Sequence, residues 1–127
     1  MIELGSFKLH LINDCTVMVD AGGAFGLVPR ALHAAAFVPP DENNLVPMTH
    51  HNLLVQAHGK NILIDAGYGS KMTEKQRAYF RYEQHAGGTV GGLARLGLTP
   101  EKIDLVIDTH LHNDHVGGNT AYGEDGS

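Results

Sequence analysis

Six consecutive residues, His110-Leu111-His112-Asn113-Asp114-His115, hold three imidazoles and one carboxylate, and no other feature of the chain restricts its fold more. Four ligand-type side chains on so short a segment are best explained by a cation that holds them together. The residues just before, Ile103-Asp104-Leu105-Val106-Ile107-Asp108, are apolar and partly β-branched and predict a buried strand over 103–108. The ligands then leave the carboxyl end of a strand on a loop, so the fold must present that strand end rigidly. On an extended backbone His110 and His112 point the same way and can grip one cation, while Leu111 turns into the core. Asp114 and His115 are adjacent, and at a tightening turn or helix start they diverge by only about 100°. Both can then face a second cation beside the first.

The hexad continues into Val116-Gly117-Gly118-Asn119 and is preceded upstream by Ile62-Leu63-Ile64-Asp65-Ala66-Gly67. With both motifs in this order, the chain resembles the metallo-β-lactamase-fold hydrolases. The resemblance implies an α+β fold, an αββα sandwich, of which residues 1–127 are expected to be the N-terminal part of a single domain: roughly the first sheet and its covering helices. It implies two zinc ions per complete domain, with iron or manganese as alternatives where carboxylates join the imidazoles. By the same resemblance His110 and His112 bind metal 1, Asp114 and His115 bind metal 2, and Asp65 is an outer partner that steadies the histidine loop. Asp114 is also the implied catalytic group, relaying a proton to the leaving group.

The implied activity is cleavage of an ester-like carbonyl, in a lactone, ester or thioester ahead of a β-lactam, by water ionised on the cations. The family completes its two metals with a third His, a bridging Asp and a last His from a C-terminal half. After His115 this sequence has no further His, and its only carboxylates are Glu124 and Asp125. A catalytic zinc normally has three protein ligands, so a second expectation stands beside the first: a metal-binding fragment without catalysis.

Composition narrows the partners. A formal net charge of -5 argues against a nucleic-acid partner, which demands a basic face, and leaves a small-molecule substrate. No apolar run approaches the roughly 20 residues that span a bilayer, so no membrane association is expected. The start, Met1 to His10, has no basic segment followed by an apolar one, which makes the cytoplasm the expected compartment. Cys15 is the one cysteine and reads as a small apolar strand residue rather than half of a disulfide.

The remaining chain divides into short elements. Residues 6–20 predict an antiparallel hairpin turning at Asn13-Asp14. A glycine-broken loop follows, with Phe25 a candidate for the wall of a pocket, and then a short helix with Pro29 in its first turn, running to the Pro39-Pro40 break with His33 on its surface. The adjacent His50 and His51 are read as opening the next strand rather than as ligands. Residues 52–57 and 61–65 predict a hairpin with its turn at Gly59. A helix capped by Ser70 is expected over 71–84, then a second capped by Thr89 with Val90, Leu93 and Leu96 on one face. Gly91-Gly92 lacks the Lys-Ser/Thr sequel of a phosphate loop, and Thr99-Pro100-Glu101 predicts a brief helical turn.

Overall fold

A computed structural model describes residues 1–123; Glu124 and Asp125 lie outside the described residues. Strands β1 (Ile2–Leu4), β2 (Phe7–Asp20), β3 (Leu45–Ala57), β4 (Lys60–Ile64), β5 (Glu83–Gln84) and β6 (Leu105–Ile107) form one mixed sheet. Its order is β1-β2-β3-β4-β6, with β5 beside β2. Neighbours are antiparallel except β4 and β6, which run parallel, so the chain between them must cross over. That crossover carries α3 (Glu74–Tyr79) and α4 (Gly88–Arg95). Helices α1 (Ala21–Phe25) and α2 (Arg30–Ala36) connect β2 to β3, and α5 (Asn113–Val116) follows β6. No helix among the described residues is long and apolar enough to cross a membrane.

Alternation along β2, β3 and β4 sorts the side chains onto two faces. Ile12, Leu54 and Leu63 meet Ala66 and Leu93 of α4, with Leu98 and Ile103 packed against them. A second cluster joins Cys15, Val17 and Tyr68 to Val19, Met72, Phe80 and Tyr82. Burial, with Asp14 beside it, pushes the Cys15 thiol up to about 12, so it is a packed, unreactive group at neutral pH. On the opposite face the register aligns two rows, Leu9-Val55-Ile62-Leu105 and Leu11-Leu53-Ile64-Ile107. Leu11, Leu105 and Ile107 remain 69%, 50% and 46% exposed. This is the apolar inner face that a two-sheet sandwich buries.

Several expectations change. The strand expected over 103–108 is shorter, Leu105–Ile107, and all three residues are exposed rather than buried. It pairs with β4 on one side and ends the described sheet. The hairpin expected over 6–20 is one continuous strand, and Asn13-Asp14 is a bulge rather than a turn. The extra residue re-aims a side chain, here burying the Asp14 carboxylate. The helix expected over 71–84 is confined to α3, capped by Thr73 rather than Ser70, with Gln76 completing a reciprocal capping box. Beyond it Arg81 takes a left-handed φ of 46°. The chain then turns so that Glu83 and Gln84 pair with Thr16 and Cys15.

Thr89 does not cap α4; Gly87 holds that position, and the threonine's hydroxyl and backbone N–H both donate to Asp14. His33 is buried rather than on the surface, stacked 4.3 Å from Phe25. Phe25, stacked also on Phe37, thus anchors α1 to α2. The helix after Pro29 is present but stops at Ala36, short of the Pro39-Pro40 break, while the hairpin turning at His58-Gly59 and the helical turn at Pro100–Lys102 stand as expected.

Candidate metal centre

The site assembles at the carboxyl ends of the two parallel strands. Asp65, immediately after β4, takes a left-handed φ of 59°, and its backbone N–H donates to the Ile107 carbonyl of β6 at 3.0 Å. Its side chain then reaches across to the loop after β6. The Thr109 backbone N–H donates to Asp65 Oδ1 at 2.8 Å, the Thr109 hydroxyl donates to the same carboxylate, and His115 Nδ1 lies 2.8 Å from Oδ2. An acidic group at a buried strand end needs such donors. Burial pushes this carboxyl up, but the Thr109 N–H, His115 and the Thr109 hydroxyl together hold it below the ordinary carboxylate range. It is therefore ionised at neutral pH and fixes the loop by charge-assisted hydrogen bonds.

Backbone contacts lock the same region. The Ala66 N–H donates to the His115 carbonyl at 2.7 Å, and the Gly118 N–H donates to the Gly67 carbonyl at 3.1 Å. Gly67 has a φ of +75°, and a Cβ there would stand 2.5 Å from Asp14 Oδ2, so glycine is needed both for conformation and for space.

The hexad residues occupy two positions in this frame. His110 and His112 are exposed, with His110 Nε2 3.0 Å from His112 Nδ1, but the loop bends at His110 instead of running extended, and Leu111, expected to turn into the core, is 83% exposed. Asp114 and His115 lie on α5, partly shielded, with His115 Nε2 3.3 Å from Asp114 Oδ2. The His110 and His115 rings are 3.9 Å apart, so the pairs are neighbours rather than separate sites.

A residue outside the hexad joins them. His50, from the middle of β3 and 9% exposed, places Nδ1 3.4 Å from Asp114 Oδ2, and His50, Asp114 and His115 offer ligand atoms all within 4.8 Å of one another. Burial lowers the proton affinity of His50 and the His115 charge adds to this, while Asp114 opposes it; neutral imidazole is the form that ligates. Locally, His50-His51 reads as the opening of a strand, which hides His50; β3 in fact begins at Leu45 and the pair lies within it. The overlooked signal was its period: position 50 shares a strand face with Asn52 and Leu54, both buried, and a core-facing imidazole needs a partner.

A further buried group supports the floor of the site. Asp14 is 2% exposed and accepts from the Thr89 N–H at 2.8 Å, the Thr89 hydroxyl at 2.7 Å and the Tyr68 N–H at 3.2 Å. Tyr68 in turn packs edge-on against His50, with ring centroids 5.1 Å apart.

The donor set fits a cation. Asp65 engages Nδ1 of His115 and so directs Nε2 toward Asp114, the arrangement by which an outer carboxylate sets a ligand tautomer. Residues 45–125 match the model of the metallo-beta-lactamase superfamily, a span that contains His50, Asp65 and the whole hexad. The chain belongs to the metallo-beta-lactamase superfamily. Among solved superfamily structures, a probable metal-dependent hydrolase from Staphylococcus aureus is 34% identical, with a TM-score of 0.84 over 94% of this chain and 43% of that one. AidC, a dizinc quorum-quenching lactonase, shares the fold at 22% identity with a TM-score of 0.69, over 92% of this chain and 37% of that one. Ribonuclease Z of Bradyrhizobium diazoefficiens is 37% identical over 87 residues, which are 68% of this chain and 21% of that protein. The chain thus spans less than half the length of each of these proteins.

Proposed function

We propose that the protein is a metal-dependent hydrolase that cleaves an ester-like carbonyl, a lactone, ester or thioester, at a zinc centre built on the His110–His115 loop. The observation that carries this reading is the arrangement Asp65-His115-Asp114, a carboxylate that orients an imidazole whose free nitrogen faces a second carboxylate. His110 and His112 would hold one cation, and Asp114 and His115 the other. Zinc so held would lower the pKa of bound water toward about 7 and polarise a carbonyl oxygen.

This chain's own residues position those ligands. Asp65 keeps the proton of His115 on Nδ1, and Thr109 ties the loop to the end of β4. Asp114, between His50 and His115, would pass a proton to a departing oxygen. Small substrates are favoured over RNA, despite the likeness to ribonuclease Z, by the net charge of -5, because phosphate backbones call for basic surfaces. The lactonase likeness supports carbonyl chemistry of this kind.

Protein expressed from its complete reading frame is expected to hydrolyse an aryl ester or an acyl lactone. Activity should fall to background after chelation, return with zinc, and be absent in His112→Ala. Turnover that survives both chelation and His112→Ala would contradict the reading. Retained zinc with no hydrolysis of either substrate would leave metal binding without turnover as the supported role.

A further inference from the structure

We propose that His50 is a protein ligand of the cation held by Asp114 and His115, so that β3 contributes a donor from outside the histidine loop. The inference rests on the reading of that loop as a cation seat and goes beyond it by adding a ligand.

Spacing is the first argument. His50 Nδ1 and His115 Nε2 approach the same oxygen, Asp114 Oδ2, at 3.4 Å and 3.3 Å. A charge-assisted N–H···O bond closes to about 2.7–2.9 Å, so neither contact has the length of a direct hydrogen bond. Donors that share a tetrahedral zinc, with bonds of about 2.0–2.2 Å, stand about 3.3–3.6 Å from one another. Both separations lie in that range, and the three ligand atoms all fall within 4.8 Å of one another.

Burial is the second. His50 is more than nine-tenths buried, held by the Tyr68 ring on one side and with the His115 ring 6.4 Å away. Its Nε2 has no hydrogen-bond partner among the described residues. The nitrogen aimed at the site, Nδ1, stands beyond ordinary hydrogen-bond length from Asp114 Oδ2, so this buried imidazole gains little from its position unless the two groups share a cation. His50, Asp114 and His115 thus offer three ligand atoms in one place, beside whatever donors the rest of a complete domain supplies.

Cobalt(II) makes the assignment testable without turnover. In purified protein loaded with cobalt(II), proton spectra should contain a hyperfine-shifted imidazole N–H that exchanges slowly, because His50 Nε2 is buried. His50→Gln should abolish that resonance, alter the visible ligand-field bands and weaken binding of one cobalt at least about 10-fold, with far-ultraviolet circular dichroism unchanged. X-ray absorption of both cobalt forms counts imidazole donors, and His50→Gln should contain fewer than the wild type. Unchanged bands and an unchanged resonance set in His50→Gln, or equal imidazole counts in the two proteins, would overturn the assignment and leave the hydrolase reading standing. Wild-type protein that takes up no cobalt would overturn both.

Discussion

Asp65→Asn is expected to weaken zinc binding by about 10–100-fold and to reduce hydrolysis at least in proportion, while the protein stays folded. The carboxylate accepts the Thr109 N–H through Oδ1 and faces His115 Nδ1 through Oδ2 at 2.8 Å. Asparagine tolerates the left-handed backbone at this position, a φ of 59°, and its single carbonyl oxygen still accepts from Thr109. The amide NH2 then confronts His115 Nδ1. Two donors cannot pair, so the ring shifts its proton to Nε2, the nitrogen that faces Asp114. A protonated Nε2 has no lone pair for a cation. Competition against a chromophoric chelator measures the loss, and equal affinity in the two proteins would contradict the role given to Asp65. Asp65→Ala would be less informative, because it adds backbone strain of roughly 1 kcal/mol at a left-handed position.

Asp14→Ala carries the largest expected effect on stability. Its carboxylate is the acceptor for the backbone N–H groups of Tyr68 and Thr89, both buried residues. The Thr89 hydroxyl can turn to the Ala66 carbonyl, 3.3 Å away. The two backbone donors have no such alternative. An orphaned buried donor costs about 1–3 kcal/mol, so the variant should lose about 2–6 kcal/mol in urea unfolding, where two such penalties add. Asp14→Asn keeps one acceptor oxygen and should lose less. Because Tyr68 packs on His50, the alanine variant should also bind zinc more weakly. A change in stability below about 0.5 kcal/mol, the scatter of ordinary surface substitutions, would mean that the bulge is not held by this carboxylate.

What could be read from the chain, and what could not, follows from where the relevant interactions lie in sequence. The ligand loop and the Ile62–Gly67 strand end are contiguous motifs, and their residue types alone restrict the chemistry. His50 becomes legible only through strand register, which brings β3 beneath a loop more than sixty residues later. Asp14 was hidden by an ambiguity of local signals, since Asn-Asp favours a turn. What overrides that preference is a set of distant donors, Thr89 and Tyr68, that reward a bulge instead. The segment 71–84 divided for a similar reason: Phe80 and Tyr82 pack into the second core cluster, and a helix could not place both there while Glu83 and Gln84 pair with β2. The apolar run at 103–108 announced a strand correctly, but its burial depends on what lies beyond the sheet edge.

The account stands or falls on whether the loop after β6 seats cations. Equilibrium dialysis of the purified protein against zinc, iron(II) or manganese(II), followed by elemental analysis, measures this directly. The predicted result is at least one tightly retained cation per chain, lost when Asp114 and His115 are both replaced by alanine. Protein that emerges empty from saturating solutions of all three metals would contradict it.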